Sequence, residues 1–233
     1  AELDWVIVRE NTEGEYSGAG GRVHPKLPQE VGIDVSVFTR DGIERVMRYA
    51  FKLALTRPKK QLTLVTKSNA QRHGMVLWDE VFEDLKHDFP GITTDRMLVD
   101  AITTRMVLQP QSLDTIVATN LHADILSDLA SALSGSLGIG PTANINPERT
   151  FPSMFEPIHG SAFDLVGKDL ANPLGAFWSC VMMLEHLQEK KGASLLMSAI
   201  EEVCQVGRHL PKDIGGNSCT GEVTTAVCAA LKK

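Results

Sequence analysis

The stretch Leu113-Asp114-Thr115-Ile116-Val117-Ala118-Thr119-Asn120-Leu121-His122-Ala123-Asp124-Ile125-Leu126-Ser127-Asp128 decides the fold class. Its opening, residues 113–118, is a short apolar run of the kind a buried strand needs. Its remainder, continued to Leu133, spaces Leu121, Ile125, Leu129 and Leu133 as a helix does. A strand running straight into a helix is the repeating unit of a sheet covered by helices. Toward the N-terminus the alternation recurs as helix 101–108, strand 92–99, helix 72–89 and strand 62–66. Before these, Asp41 fits an N-cap, after which Ile43, Val46, Met47, Ala50, Leu53 and Ala54 keep helical spacing until Pro58. Residues 5–8 read as a buried strand entering the polar turn Arg9-Glu10-Asn11-Thr12-Glu13-Gly14. Residues 17–32, rich in Gly and Pro, read as an irregular excursion, and Asp34 to Thr39 as an exposed strand. Excursions of this kind often pair with another subunit.

Toward the C-terminus the pattern changes. Gly135-Ser136-Leu137-Gly138-Ile139-Gly140-Pro141 is the best candidate boundary, giving an α/β region over residues 1–134 and a second region over residues 135–233. Helices over about 172–188, 194–207 and 220–231 dominate the second region, as one layer that awaits a sheet supplied elsewhere. The chain opens without methionine, directly into Trp5-Val6-Ile7-Val8, so a missing N-terminal segment is the expectation.

Composition narrows the class. With 233 residues, 43% hydrophobic and 22% charged, the chain is an ordinary globular one with enough apolar surface for a core. A net charge of −6 argues against nucleic acid as main partner, because phosphate binding needs a basic face. It leaves room for a small anionic substrate. Cys180, Cys204, Cys219 and Cys228 form no C-x-x-C pair and read as reduced thiols of an intracellular, cytoplasmic protein. No apolar run reaches the roughly 20 residues that span a bilayer.

Asp124 and Asp128, four residues apart on a helix, share one face with Cβ atoms about 6 Å apart. Like charges so close repel, and a divalent cation between them would reverse the sign. A third carboxylate, Asp100, ends the apolar stretch 97–99, and strand ends are where α/β sheets place their sites. All-oxygen donors suit Mg²⁺ or Mn²⁺ better than Zn²⁺. The same spacing also describes a solvated acidic helix face. Lys67 follows strand 62–66 directly, and Tyr16 lies in the loop after strand 5–8. A lysine beside a metal-bound hydroxyl can take its proton and a tyrosine can protonate a carbanion. Alone, each equally describes a surface lysine and a half-buried loop aromatic. Neither G-x-G-x-x-G nor G-x-x-x-x-G-K-[ST] occurs. The run Glu156-Pro157-Ile158-His159-Gly160-Ser161-Ala162-Phe163-Asp164, with Gly167 and Asn172-Pro173, could wrap an adenosine or be an ordinary turn. In the first case Asp164 would accept from the ribose hydroxyls and repel the extra phosphate of NADP.

Arg9–Gly14, Asn120–Asp128 and Glu156–Asp164, in that order, resemble the isocitrate/isopropylmalate dehydrogenase family. The likeness runs to Asp213-Ile214-Gly215-Gly216, the family's last turn before its closing helix. Thr66-Lys67-Ser68-Asn69-Ala70-Gln71-Arg72 and Ser153-Met154-Phe155-Glu156-Pro157 look closest to the tartrate/D-malate dehydrogenase branch. The resemblance implies an α/β fold of that family, here N-terminally truncated, with residues 17–39 as a dimerisation arm. Residues 135–233 would be the C-terminal portion of the nucleotide-binding domain. It implies NAD-dependent oxidative decarboxylation of a small 2-hydroxy diacid, D-malate or tartrate. Asp100, Asp124 and Asp128 would hold Mg²⁺ or Mn²⁺, Lys67 would accept or relay the hydroxyl proton, and Tyr16 would protonate the enolate. Arg9 would pair with a substrate carboxylate; His159, Gly160, Ser161, Ala162, Asp164 and Asn172 would contact NAD. A homodimer with shared sites is implied, Lys67 and Asp100 reaching into the partner's. Phe163 departs from the family, which usually has proline there. A non-catalytic subunit that pairs with a complete chain is the alternative, but such subunits usually lose the ligands or the lysine, and Tyr16, Lys67, Asp100, Asp124 and Asp128 are all present.

Overall fold

The computed structural model describes residues 3–232, and the chain divides at Ala130/Ser131, in the last turn of a helix, into two compact units. The first unit is an α/β sandwich. Its strands β1 (Val6–Arg9), β4 (Gln61–Thr66), β5 (Thr93–Leu98) and β6 (Thr115–Ala118) form one sheet in the order β1-β6-β4-β5, every pair parallel. Parallel strands need crossovers, and the helices that provide them cover both faces. Helices α1 (Arg40–Thr56) and α2 (Gly74–Lys86) bury Ile43, Met47, Phe51, Trp78 and Phe82 with Val8, Leu62, Leu64 and Val117. Helices α3 (Val99–Leu108) and α4 (Asn120–Leu133) place Ile102, Met106, Ala123 and Leu126 with Val65, Ile116 and Ala118. Successive residues of β4 and β6 thus serve opposite layers, so both strands are buried along nearly their whole length.

The structure corrects three local expectations. Residues 17–32 are not irregular: β2 (Gly14–Val23) and β3 (Val31–Val37) form an antiparallel hairpin whose register shifts between Gly14 and Ala19. Its glycines hide the strand pattern, and at Gly20 a Cβ would stand 2.1 Å from the Ile33 carbonyl oxygen, so glycine is what lets the two strands close. Thr39, not Asp41, caps α1, its side chain accepting from the Gly42 amide at 3.0 Å. Asp100 does not end a strand. β5 stops at Leu98, and Asp100 stands in the first turn of α3.

The second unit pairs β7 (Pro141–Asn144) with β8 (Met154–Pro157) in an antiparallel hairpin beside α5 (Leu174–His186), α6 (Lys190–Val206) and α7 (Thr220–Ala230). The three helices bury Leu174, Val181, Leu196, Ile200, Val203, Val223 and Val227 together. The four cysteines are free thiols. Among the described residues no helix is long and apolar enough to cross a membrane.

Candidate active site

All six residues singled out in the first unit stand at or just beyond the C-terminal ends of its parallel strands or on the elements that follow. There strand carbonyls end and helix N-termini begin, which makes it the usual site edge of such sheets. Arg9 ends β1, Tyr16 lies on β2, Lys67 follows β4, Asp100 opens α3 after β5, and Asp124 and Asp128 lie on α4 after β6.

They gather in two groups that follow the strand order. Around β1 and β6, the Arg9 guanidinium bonds Asp124 Oδ1 through Nη1 at 2.5 Å, and Asn120 Oδ1 through Nε at 3.0 Å and Nη2 at 2.6 Å. The Tyr16 hydroxyl donates to Asp124 Oδ2 at 3.2 Å, and the guanidinium carbon lies 5.7 Å from the Tyr16 ring centre. The Asp124 carboxylate, then the little burial the phenol has, push the Tyr16 hydroxyl above its ordinary range, so it stays a proton donor. Around β4 and β5, Lys67 Nζ stands 2.5 Å from Asp100 Oδ1. That hydrogen bond, then bonds from the amides of Asp100 and Ala101 at the start of α3, hold the Asp100 carboxyl below the usual carboxylate range.

Asp128 lies one turn beyond Asp124 on α4 and is exposed. Among the described residues of one chain, no three carboxylate, His or Cys side chains converge as a metal site, so Asp100 does not join Asp124 and Asp128.

The turn between β1 and β2 and the start of α4 are held by acids to which the sequence reading gave no role. Buried Glu10 accepts from the Thr12 and Glu13 amides at 2.9–3.0 Å, which folds Arg9–Gly14 back on itself. Glu13 accepts from the Thr39 amide and hydroxyl. Glu15 accepts from the Thr119 hydroxyl at 2.8 Å and the Leu121 amide at 3.2 Å, satisfying the start of α4. These carboxylates fix the direction in which Arg9 and Tyr16 leave the backbone.

In the second unit His159, Gly160, Ser161, Ala162 and Asp164 share one loop behind β8. The Ile158 amide bonds the Gly140 carbonyl at 2.9 Å, and beyond it the chain is exposed, with Phe163 85% accessible. Ala162 has φ +41°, a left-handed turn closed by the Leu165 amide on its carbonyl at 2.8 Å. His159 Nδ1 lies 3.0 Å from the Gly160 carbonyl oxygen. The far limb is pinned: Asp169 accepts from the Gly221 amide at 3.1 Å, and Asn172 bonds Asp213 at 2.9 Å.

The family model for isocitrate/isopropylmalate dehydrogenase matches residues 1–229. The chain belongs to that family. It is 66% identical over 230 residues to a probable tartrate dehydrogenase/decarboxylase TtuC' of Agrobacterium vitis, covering 99% of this chain and 64% of that protein. It is 48% identical over 235 residues to the D-malate dehydrogenase [decarboxylating] of Escherichia coli strain K12, covering 99% of this chain and 65% of that protein. The crystal structure of isocitrate dehydrogenase from Methylococcus capsulatus superposes with a TM-score of 0.93 at 38% identity, over 100% of this chain and 68% of that one. The chain thus spans just under two thirds of the length of these curated relatives.

Within this dehydrogenase family chain, Asn120 is the site residue whose role the sequence reading missed. It stood inside the quoted motif, and an Asn at a strand-to-helix junction signals a cap. Its actual partners, Arg9 from β1 and the Glu13 carbonyl at 3.3 Å, lie more than 100 positions away. His122 is the second: it is 7% accessible, its Nδ1 has no hydrogen-bond partner among the described residues, and burial holds its imidazole below the ordinary range.

Proposed function

We propose that a protein carrying this chain performs NAD-dependent oxidative decarboxylation of a small 2-hydroxy diacid, D-malate or tartrate, with Mg²⁺ or Mn²⁺, as a cytoplasmic homodimer. One observation carries the reading. Arg9, Tyr16 and Asp124, from three elements and up to 115 positions apart, meet at one sheet edge with the chemistry the reaction needs. The names of the relatives support the substrate class.

The donor set fits a hard dication. Asp124 and Asp128 offer carboxylate oxygens one turn apart on α4, and the face they share is open to solvent. Asp100 would complete the set from a second copy of the chain, in keeping with its separation from them within one. When bound, the dication would polarise the substrate hydroxyl and the NAD⁺ held by residues 159–164 and 172 would accept hydride. Arg9, whose planar fork matches a carboxylate, orients the diacid. Lys67 accepts the proton of the 2-hydroxyl or relays it. Tyr16, kept protonated beside Asp124, returns a proton to carbon after CO₂ departs. Asp164, exposed on its loop, accepts from ribose hydroxyls and disfavours NADP.

The test is NADH formation by a protein of the relatives' full length that carries these residues. It is offered D-malate, tartrate and isopropylmalate, with Mn²⁺ and with chelator. Turnover of D-malate or tartrate that chelator abolishes is expected. Turnover of none of the three, or rates indifferent to chelator, would sink the assignment.

A further inference from the structure

Asp213 has no part in the chemistry above, yet its carboxylate joins the segments that surround Asn172. Its Oδ2 accepts from Asn172 Nδ2 at 2.9 Å and also from the Ser136 hydroxyl. Ser136 Oγ in turn accepts from the Gly138 amide at 2.9 Å. On the other side of the same carboxamide, Asn172 Oδ1 accepts from the amide of Leu174, the first residue of α5, at 2.9 Å. The fit is close: a Cβ at Gly138 would stand 2.5 Å from Asp213 Oδ2 and 2.9 Å from Asn172 Cβ. Asp213 is itself fixed by the tight turn 212–216, where Gly215 takes φ +88° and the Gly216 amide bonds the Pro211 carbonyl at 3.0 Å.

A primary carboxamide has two N–H donors and two acceptor lone pairs. Here one of each is consumed, and the two bonds leave in different directions, so the amide plane cannot rotate. A carboxylate accepts only, so it also settles which end of the amide faces it. One N–H and one lone pair remain, held in a fixed orientation where the loop 159–172 ends.

We propose that Asp213 is a positioning residue for nucleotide binding, acting through Asn172 by locking the orientation of its carboxamide. The proposal rests on the reading of Asn172 as a contact of NAD. A side chain oriented before its ligand arrives gives up less conformational freedom on binding. Loss of the lock therefore weakens the cofactor complex and leaves the chemical step alone.

The experiment is a double-mutant cycle on Asn172→Ala and Asp213→Ala in the full-length protein, reading KM for NAD, kcat, and NADH affinity by fluorescence titration. Asp213→Ala should raise the KM for NAD about tenfold, the scale of one charge-assisted hydrogen bond, with kcat within about twofold. Asp213→Asn retains an oxygen able to accept from both partners and should recover most of the loss. In the Asn172→Ala background, Asp213→Ala should add nothing. If the alanine variant does not fold, Asp213→Glu, which displaces the carboxylate by one methylene, is read in the same way. Additive effects, or a loss confined to kcat and thermal stability, overturn the proposal. A raised KM from Asn172→Ala with none from any Asp213 variant overturns the positioning role alone. An unchanged KM from Asn172→Ala overturns the nucleotide reading of Asn172 and this proposal with it.

Discussion

Asp124 is shared by a guanidinium and a phenol, and its two oxygens divide the work. The ion pair with Arg9 is partly exposed, with the two side chains 33% and 42% accessible, so it contributes less than about 1 kcal/mol to folding. Asp124→Asn should therefore leave the melting temperature nearly unchanged while Mn²⁺ affinity and turnover fall together. Calorimetric titration with Mn²⁺ alongside rate measurements checks this, and an unaltered Mn²⁺ affinity counts against Asp124 as a ligand. Tyr16→Phe removes the proton donor and keeps the ring against Arg9. Release of CO₂ should then drop more than hydride transfer, visible as oxo acid accumulating per NADH formed. Equal loss in both steps would take away the role given to the phenol. Of this group the sequence displayed Arg9 and Asp124 in their motifs and Tyr16 in the loop beside them, whereas the roles of Glu10, Glu13 and Glu15 were hidden, although the first two lie inside the Arg9–Gly14 turn. Glu10 bonds amides two and three residues ahead in a turn that no periodic pattern announces, and Glu13 and Glu15 bond amides and hydroxyls 26 and more than 100 positions away, which leave no spacing signature.

At the level of elements, the end of the sheet opposite the site buries a carboxylate whose charge is met by Arg57, which also pairs with Asp4. Arg57, at the C-terminus of α1, stands 2.5 Å from Asp114 at the start of β6, where Asp114 is 1% accessible. Arg57→Met would leave that carboxylate buried and unpaired, a loss on the order of 3 kcal/mol. Urea unfolding reads it directly, and an unmoved midpoint would show that the carboxylate finds another partner. Helix α4 carries a second sensitivity. Burial holds the His122 imidazole below its ordinary 6.5, so in the folded protein it protonates later than in the unfolded chain as pH falls. The unfolded state binds the extra proton in that window, and stability, complete above about 6.5, declines as pH drops through it. His122→Gln should flatten the fall in melting temperature as pH drops below about 6.5; an equally steep fall in the variant would assign the effect elsewhere. The alternation of strand and helix was legible because periodicity and Pro58 punctuate it. Strand β3 was legible in part, in the alternation from Asp34, but β2 was not, since Gly18, Gly20 and Gly21 interrupt its period-two pattern, and at Gly20 the backbones approach too closely for a side chain.

On the scale of the whole molecule, one chain separates what the proposed chemistry would join. Lys67 and Asp100 pair with each other beside β4 and β5, while Arg9, Tyr16 and Asp124 gather beside β1 and β6. The hairpin offers a means of bringing a second copy: Val23, Val31, Ile33, Val35 and Val37, all 41–49% accessible, occupy the same alternate positions of the antiparallel ribbon. A row of five exposed aliphatic side chains is an association surface by ordinary standards. If two copies exchange Lys67 and Asp100 across it, two inactive variants should repair each other. A chain with Lys67→Ala keeps its own Asp124, and a chain with Asp124→Asn keeps its own Lys67. In a mixed dimer one site combines both defects and the other has neither. Random pairing makes half the dimers mixed, so co-refolding equal amounts of the two full-length variants should restore roughly a quarter of wild-type turnover. Adding Ile33→Asp to both chains places a charge within the apolar row and should abolish that recovery, with a shift from dimer to monomer in sedimentation. Absence of recovery while mixed dimers form would mean each site takes its lysine and its carboxylates from a single chain.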